Sequence, residues 1–117
     1  MDTLKGIIIT IFLVLLLACA PLQHNKMVTI GVIISPDEYG INVLRGAQMA
    51  VNESALENVR LVVQKADCDP RTAESITEKL IILQKAQVIL EGVCPELVTE
   101  LVPLAAEKEV VVISGVS

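Results

Sequence analysis

The chain has 117 residues, a formal net charge of −5 and a single histidine, His24. A chain of this length suits one small α/β unit, and its acidic balance disfavours nucleic acid as a partner. The sequence also contains no nucleophile–base pair, phosphate-binding loop or cluster of metal ligands. We therefore expect neither an enzyme nor a protein that carries a metal or another cofactor.

The first 18 residues are typical of an export signal. Asp2 and Lys5 precede an apolar run at residues 7–18, which is shorter than the roughly 20 residues that a membrane span needs. Residues 16–19, Leu-Leu-Ala-Cys, resemble a bacterial lipobox. We therefore predict a lipoprotein signal peptide at residues 1–18 and acylation of Cys19. An uncleaved helix at residues 6–22 and an ordinary cleaved signal peptide are the open alternatives.

Residues 19–27 form a predicted tether between the lipid and the folded domain, and His24 lies in it as a solvated linker residue. Acyl chains such as palmitate would anchor the mature protein, because each buried methylene contributes about 0.8 kcal/mol. The expected location is outside the cytoplasm, on a membrane surface.

The remainder, residues 28–117, alternates strands and helices. Aliphatic runs predict strands at residues 28–35, 59–65, 87–90 and 109–114, and amphipathic stripes predict helices at 41–55, 70–86 and 96–108. Asp69 and Pro70 form a helix start, because aspartate caps free amides and proline suits the first helical position. The predicted fold class is therefore α/β, a doubly wound parallel sheet with right-handed crossovers. In such sheets ligands bind beyond the carboxyl ends of the strands.

Six segments at the strand ends and on the first helix form a recognisable pattern: IGVIIS at 30–35, YG at 39–40, LRGAQMAV at 44–51, ADCDPR at 66–71, EGVC at 91–94 and VIS at 112–114. Through these segments, this part of the chain resembles the N-terminal lobe of the type I periplasmic substrate-binding proteins, especially the branched-chain amino acid group. A Rossmann dinucleotide-binding fold is disfavoured, since no GxGxxG motif follows the first strand.

The resemblance implies a ligand site at the ends of the strands. Tyr39 matches a tyrosine that packs on the ligand, and the alternative is an ordinary surface tyrosine. Pro95 stands where the family usually has a ligand-binding serine, and it offers neither hydroxyl nor amide, so the main chain around Glu96 is the expected contact there. Val116 and Ser117 match a segment whose main chain binds ligand.

The resemblance also implies a disulfide bond between Cys68 and Cys94, because family members have paired cysteines in these two loops. An exported protein meets the oxidising compartment in which such a bond forms. The alternative is a pair of unrelated small core residues.

The expected function is that of a substrate-binding lipoprotein of an ABC importer, for branched-chain amino acids or related amides. Its partners would be that small-molecule ligand, an ABC permease and the membrane. The chain corresponds to only the first part of lobe one, so it is either a truncated copy or a small lipoprotein that has kept half the fold. The alternative function is a regulatory or interaction lipoprotein without tight ligand capture.

Overall fold

The computed structural model describes residues 1–18 and 26–115. Helices and strands alternate throughout, as the aliphatic runs and amphipathic stripes predict. In chain order the elements are α1 (Asp2–Ala18), β1 (Val28–Ile34), α2 (Glu38–Glu53), β2 (Val59–Lys65), α3 (Pro70–Ile82), β3 (Val88–Gly92), α4 (Pro95–Glu107) and β4 (Val111–Ser114).

The four strands form one parallel sheet in the order β2-β1-β3-β4. The crossover from β1 to β2 runs in one direction across the sheet, and the crossovers from β2 to β3 and from β3 to β4 run in the other. Because crossovers are right-handed, α2 lies on one face of the sheet and α3 and α4 lie on the other. The main core lies on the second face, where Ile33 and Ile89 of the sheet pack with Leu80 of α3 and Leu101 of α4. The predicted α/β parallel sheet is confirmed.

The bounds of two helices differ by more than one residue from the sequence-based prediction. Helix α2 begins at Glu38 rather than at residue 41, because the Asp37 side chain accepts a hydrogen bond from Gly40 N–H and caps the first turn. Helix α3 ends at Ile82 rather than at residue 86, where Ala86 N–H already bonds to the carbonyl of Leu80. The expected start of α3 is confirmed, with Asp69 accepting from Thr72 N–H at 3.0 Å.

Helices α2, α3 and α4 are each followed by a left-handed residue that is not glycine. These residues are Ala55, Lys85 and Glu109, with φ of 54°, 58° and 57°. Such a conformation costs a side-chain-bearing residue roughly 1–2 kcal/mol, which is why glycine is common there.

Helix α1 is exposed along its whole length and contributes nothing to the core. None of the helices in residues 1–18 and 26–115 has both the length and the apolar content needed to cross a membrane. Cys19 and most of the predicted tether, including His24, lie outside the described residues. The signal peptide, the acylation and the division into segments at residues 1–18, 19–27 and 28–117 therefore stay predictions.

Candidate functional site

The carboxyl ends of the four parallel strands meet at one side of the sheet, which we name the carboxyl edge. It consists of the loops at residues 35–37, 66–69 and 93–94 and of Gly115 after β4. The N-termini of α2, α3 and α4 follow the first three of these loops. Helix N-termini present free amides and a positive dipole end, so they suit anionic groups.

Helix α2 is fixed tightly against the end of β1. The Ser35 hydroxyl donates a hydrogen bond of 2.5 Å to Asp37 Oδ1, which also accepts from Gly40 N–H at 3.0 Å. A Cβ atom on Gly40 would lie 2.0 Å from the carbonyl oxygen of Ser35. Residue 40 is therefore glycine because backbone approaches backbone here.

The close approach of α2 to β1 brings Tyr39 to the carboxyl end of β4. The Tyr39 hydroxyl donates a hydrogen bond of 2.5 Å to the carbonyl oxygen of Gly115, 76 positions along the chain. The tyrosine is 43% exposed, so part of its ring is available as a contact surface. This bond joins the first turn of α2 to the end of β4, two places that the resemblance assigns to the expected ligand site.

A buried carboxylate organises the loop after β3. Glu91 is 0% exposed, and its Oε1 accepts hydrogen bonds from Val93 N–H at 2.7 Å and Cys94 N–H at 2.9 Å. The Ser114 hydroxyl donates to Oε2 at 3.3 Å, which ties β4 to the same group. Glu91 was not among the residues predicted to have a role, although an acidic residue inside the aliphatic strand VILEG is a signal that could have revealed it.

The loops after β2 and β3 are joined covalently. Cys68 and Cys94 form a disulfide bond with a Cα separation of 5.9 Å, as the resemblance implies. The Glu96 carboxylate lies 3.9 Å from Cys68 Sγ. Although these three side chains cluster closely enough to surround a metal ion, the bonded sulfurs are not thiolates and cannot act as metal ligands.

Helix α4 begins directly at Pro95, which has no N–H to offer a ligand. Glu96 follows, and its N–H takes part in none of the hydrogen bonds found within residues 26–115. The main chain of Glu96 is thus the first available donor at this helix end. Val116 and Ser117 lie outside the described residues, so their predicted ligand contacts stay untested.

The carboxyl edge is open rather than enclosed. A cavity of about 180 Å³ lies on its β2 side and is lined by Pro36, Lys65, Ala66, Asp67 and Thr72. Pockets for small molecules usually have volumes of about 300–1,000 Å³ and cover most of the ligand. The edge is thus an open surface, and a ligand held there would be enclosed only if a second wall covered it.

Two aspartates at this edge have lowered pKa values. The N–H of Gly40, followed by the Ser35 hydroxyl, lowers the pKa of Asp37, and the hydroxyl and N–H of Thr72 lower that of Asp69. These hydrogen bonds favour the ionised form, so the unfolded chain binds the protons more tightly. Their contribution to stability is present above the unfolded pKa of about 3.9 and is lost as the pH falls through the lower folded values.

We expect the Asp37→Asn/Asp69→Asn double variant to lose less stability than the wild-type chain between pH 5 and pH 2. Asparagine still caps a helix but does not titrate. Urea unfolding across this pH range measures the difference, and each single variant should give an intermediate profile. Parallel profiles for the wild-type chain and the double variant would contradict the assignment.

Solved structures of known proteins have a fold similar to that of this chain. No protein-family model matches the chain, and none of the curated proteins matches it. Among solved structures, a periplasmic binding protein from Burkholderia mallei superimposes with a TM-score of 0.71 at 20% identity, over 79% of this chain and 27% of that one. The chain has the fold of part of a periplasmic binding protein.

A second solved structure has the same fold. It is the branched-chain amino acid transporter substrate-binding protein LivJ from Streptococcus pneumoniae, in complex with isoleucine, with a TM-score of 0.68 and 23% identity. The match covers 76% of this chain and 28% of that one. The chain therefore spans about a quarter of the length of these two periplasmic binding proteins.

Proposed function

We propose that the chain is part of an exported solute-binding protein and supplies one wall of its ligand site at the carboxyl edge. The observation that carries this proposal is the hydrogen bond from Tyr39 to Gly115, which places an exposed aromatic ring between the ends of β1 and β4. Such a ring offers apolar contact area at a low cost in conformational entropy. The fold shared with the two periplasmic binding proteins supports the same reading.

The ligand class that we propose is a branched-chain amino acid or a related amide. The Tyr39 ring would contact the aliphatic part, and the main-chain N–H of Glu96 would receive the carboxylate or amide oxygen, with residues 116–117 completing this contact. Asp37 and Glu91 are already engaged as acceptors of main-chain N–H groups. They are therefore less free to bind a ligand's ammonium group, which would have to be met by a second wall.

We further propose that the protein is a lipoprotein, anchored through Cys19, that delivers its ligand to an ABC permease. Helix α1 and the Leu-Leu-Ala-Cys segment support anchoring. The Cys68–Cys94 bond supports an oxidising compartment. The mechanism is capture and release without covalent chemistry, so it needs no catalytic residue.

A second candidate function is a regulatory or interaction lipoprotein that does not capture a small molecule tightly. Pro95 favours it, because loss of one charge-assisted hydrogen bond costs about 1.5–3 kcal/mol. The exposed Glu96 carboxylate beside the same helix end also disfavours an anionic ligand. The open carboxyl edge also favours this second function.

Calorimetry with leucine, isoleucine and valine distinguishes the two functions. We expect no tight binding by the chain alone, and binding by the chain fused to a second lobe of a periplasmic binding protein. In the fusion, Tyr39→Ala should weaken binding at least tenfold, whereas Ile41→Ala, a nearby exposed position on α2, should leave it unchanged. A fusion that binds none of the three amino acids would favour the second function. Micromolar binding by the chain alone, unaffected by Tyr39→Ala, would contradict the proposed site.

A further inference from the structure

A second concave surface lies at the opposite end of the sheet from the carboxyl edge. This groove, about 530 Å³ in volume, lies where β1 and β2 begin and α3 ends, and we name it the amino-end groove. Three cationic side chains line it, those of Lys26, Arg60 and Lys85, together with the apolar side chains of Met27 and Leu83. Among the lining residues that the structure describes, none is acidic.

The cations of the groove are available to a partner. Arg60 is oriented through one nitrogen, Nη2, which donates to Thr29 Oγ1 and to the Gln84 carbonyl oxygen, each at 3.2 Å. Within residues 1–18 and 26–115, the ion pair that is formed joins Lys108 to Glu107 and involves none of the three groove cations. A group with several anionic oxygens would therefore find unpaired donors here.

The groove also exposes apolar surface next to these cations. Leu83 is 70% exposed and Met27 is 52% exposed. A soluble phosphate or carboxylate gains nothing from such side chains. A lipid bilayer does, because its interface combines anionic headgroups with apolar chains a few ångströms deeper.

The position of the groove along the chain favours a bilayer as well. Lys26 and the apolar helix α1 are separated by residues 19–25, which can span at most about 25 Å when fully extended. Any attachment of the N-terminal segment to a membrane thus keeps this end of the sheet near it. The exposed acidic residues Asp37, Asp67 and Asp69 lie at the carboxyl edge, so this orientation directs them away from an anionic surface. The exposed Glu57 and Glu109 precede β2 and β4 at the groove's end of the sheet, outside the groove lining.

We propose that the amino-end groove docks on anionic phospholipid headgroups. Lys26, Arg60 and Lys85 bind the lipid phosphates, and Leu83 and Met27 enter the interface beside them. Docking turns the carboxyl edge toward the aqueous side, where a ligand or a permease can reach it. The proposal rests on the membrane attachment proposed above and adds a fixed orientation to it.

Tryptophan fluorescence in reconstituted vesicles tests the orientation, since the chain contains no tryptophan of its own. The full chain carrying Leu83→Trp is compared with the full chain carrying Ile41→Trp, at the opposite end. Both are reconstituted into phosphatidylglycerol or phosphatidylcholine vesicles with brominated acyl chains. We expect a blue shift and strong quenching of the tryptophan at position 83 in phosphatidylglycerol alone, and neither effect at position 41.

A charge-removing variant identifies the cations as the cause. Adding Lys26→Gln and Lys85→Gln to the Leu83→Trp chain, with Arg60 retained, should weaken docking about fivefold for each lysine removed. Salt at about 1 M, where the Debye length is about 3 Å, should abolish the difference between the two lipids. Circular dichroism verifies that the variants are folded.

The contradicting outcomes are separable. If the protein floats with the vesicles while position 83 is not quenched, attachment stands and the docking face is wrong. If the protein does not float, attachment and docking both fail. If inorganic phosphate without vesicles produces the same blue shift, the groove is a site for small anions and the lipid proposal is overturned.

Discussion

Replacing Glu91 with leucine is expected to lower the free energy of unfolding by about 2–5 kcal/mol. The glutamate is fully buried and accepts hydrogen bonds from the main-chain N–H groups of Val93 and Cys94. Leucine has similar size but leaves these two partly buried donors without their acceptor, and an unsatisfied donor costs about 1–3 kcal/mol when it is fully buried and less where water can reach it. A domain of this size has a total stability of only about 5–13 kcal/mol, so the loss is severe.

Glu91→Gln separates the charge of this residue from its shape. Glutamine keeps one acceptor oxygen for the loop after β3, but the Ser114 hydroxyl must then accept from the amide, and the hydrogen bonds to the two N–H groups are no longer assisted by a charge. We expect an intermediate loss of stability and faster hydrogen exchange at the amides of Val93 and Cys94. Glu96→Gln is the matched control. This acid lies five positions further along, is exposed, and has its contact with Cys68 Sγ rather than with main-chain N–H groups.

Urea unfolding and amide exchange measure these effects. Equal stability of the Glu91→Leu variant and the wild-type chain would show that water or a rearranged loop satisfies the two amides. A comparable loss in Glu96→Gln would point to the charge of the edge rather than to the buried acceptor. The Glu91 effect would also bear on the proposed ligand binding, because the same carboxylate positions the residues just before Pro95.

The fold was predictable because its signals are local and repeated. Strand β2 begins and ends where the aliphatic run VRLVVQK does, and α3 starts where Asp69 and Pro70 specify a cap. The start of α2 was not found, because its cap depends on Gly40 lying against Ser35, an approach that only the folded backbone shows. Pro36 and Gly40 are residue types that locally favour a turn. In the folded chain, however, Asp37 caps a helix that begins between them.

The candidate site was less predictable, because its bonds connect distant parts of the chain. Tyr39 was identified through resemblance, but its partner, the Gly115 carbonyl, follows from the sheet order that sets β4 beside β3. Leu83 falls within the amphipathic helix predicted at residues 70–86, and it is the most exposed large apolar residue of residues 26–115. Leu83 is the C-terminal cap of α3, and although its N–H still bonds to the Lys79 carbonyl, its side chain lies at the open end of the helix.

Removal of the disulfide bond by Cys68→Ser/Cys94→Ser should lower the free energy of unfolding by about 3.5 kcal/mol. The bond closes a loop across a sequence separation of 26, and the chain-entropy estimate for a loop of this length gives that value. For a domain of roughly 90 residues, such a loss lowers the melting temperature by about 15–25 °C.

The structure adds a local reason to expect a large effect. The bond fixes the loop after β2 to the residue that precedes α4, whose N–H is already bonded to Glu91. Without it, the exposed loop containing Cys68 is no longer attached covalently to the end of β3. Thermal unfolding of the full chain in detergent measures the change, and a reductant should bring the wild-type midpoint down to that of the double variant. The reductant should leave the double variant unchanged, because it has no disulfide to lose. Two chains that melt within about 2 °C of each other would mean that the bond contributes far less than loop closure requires.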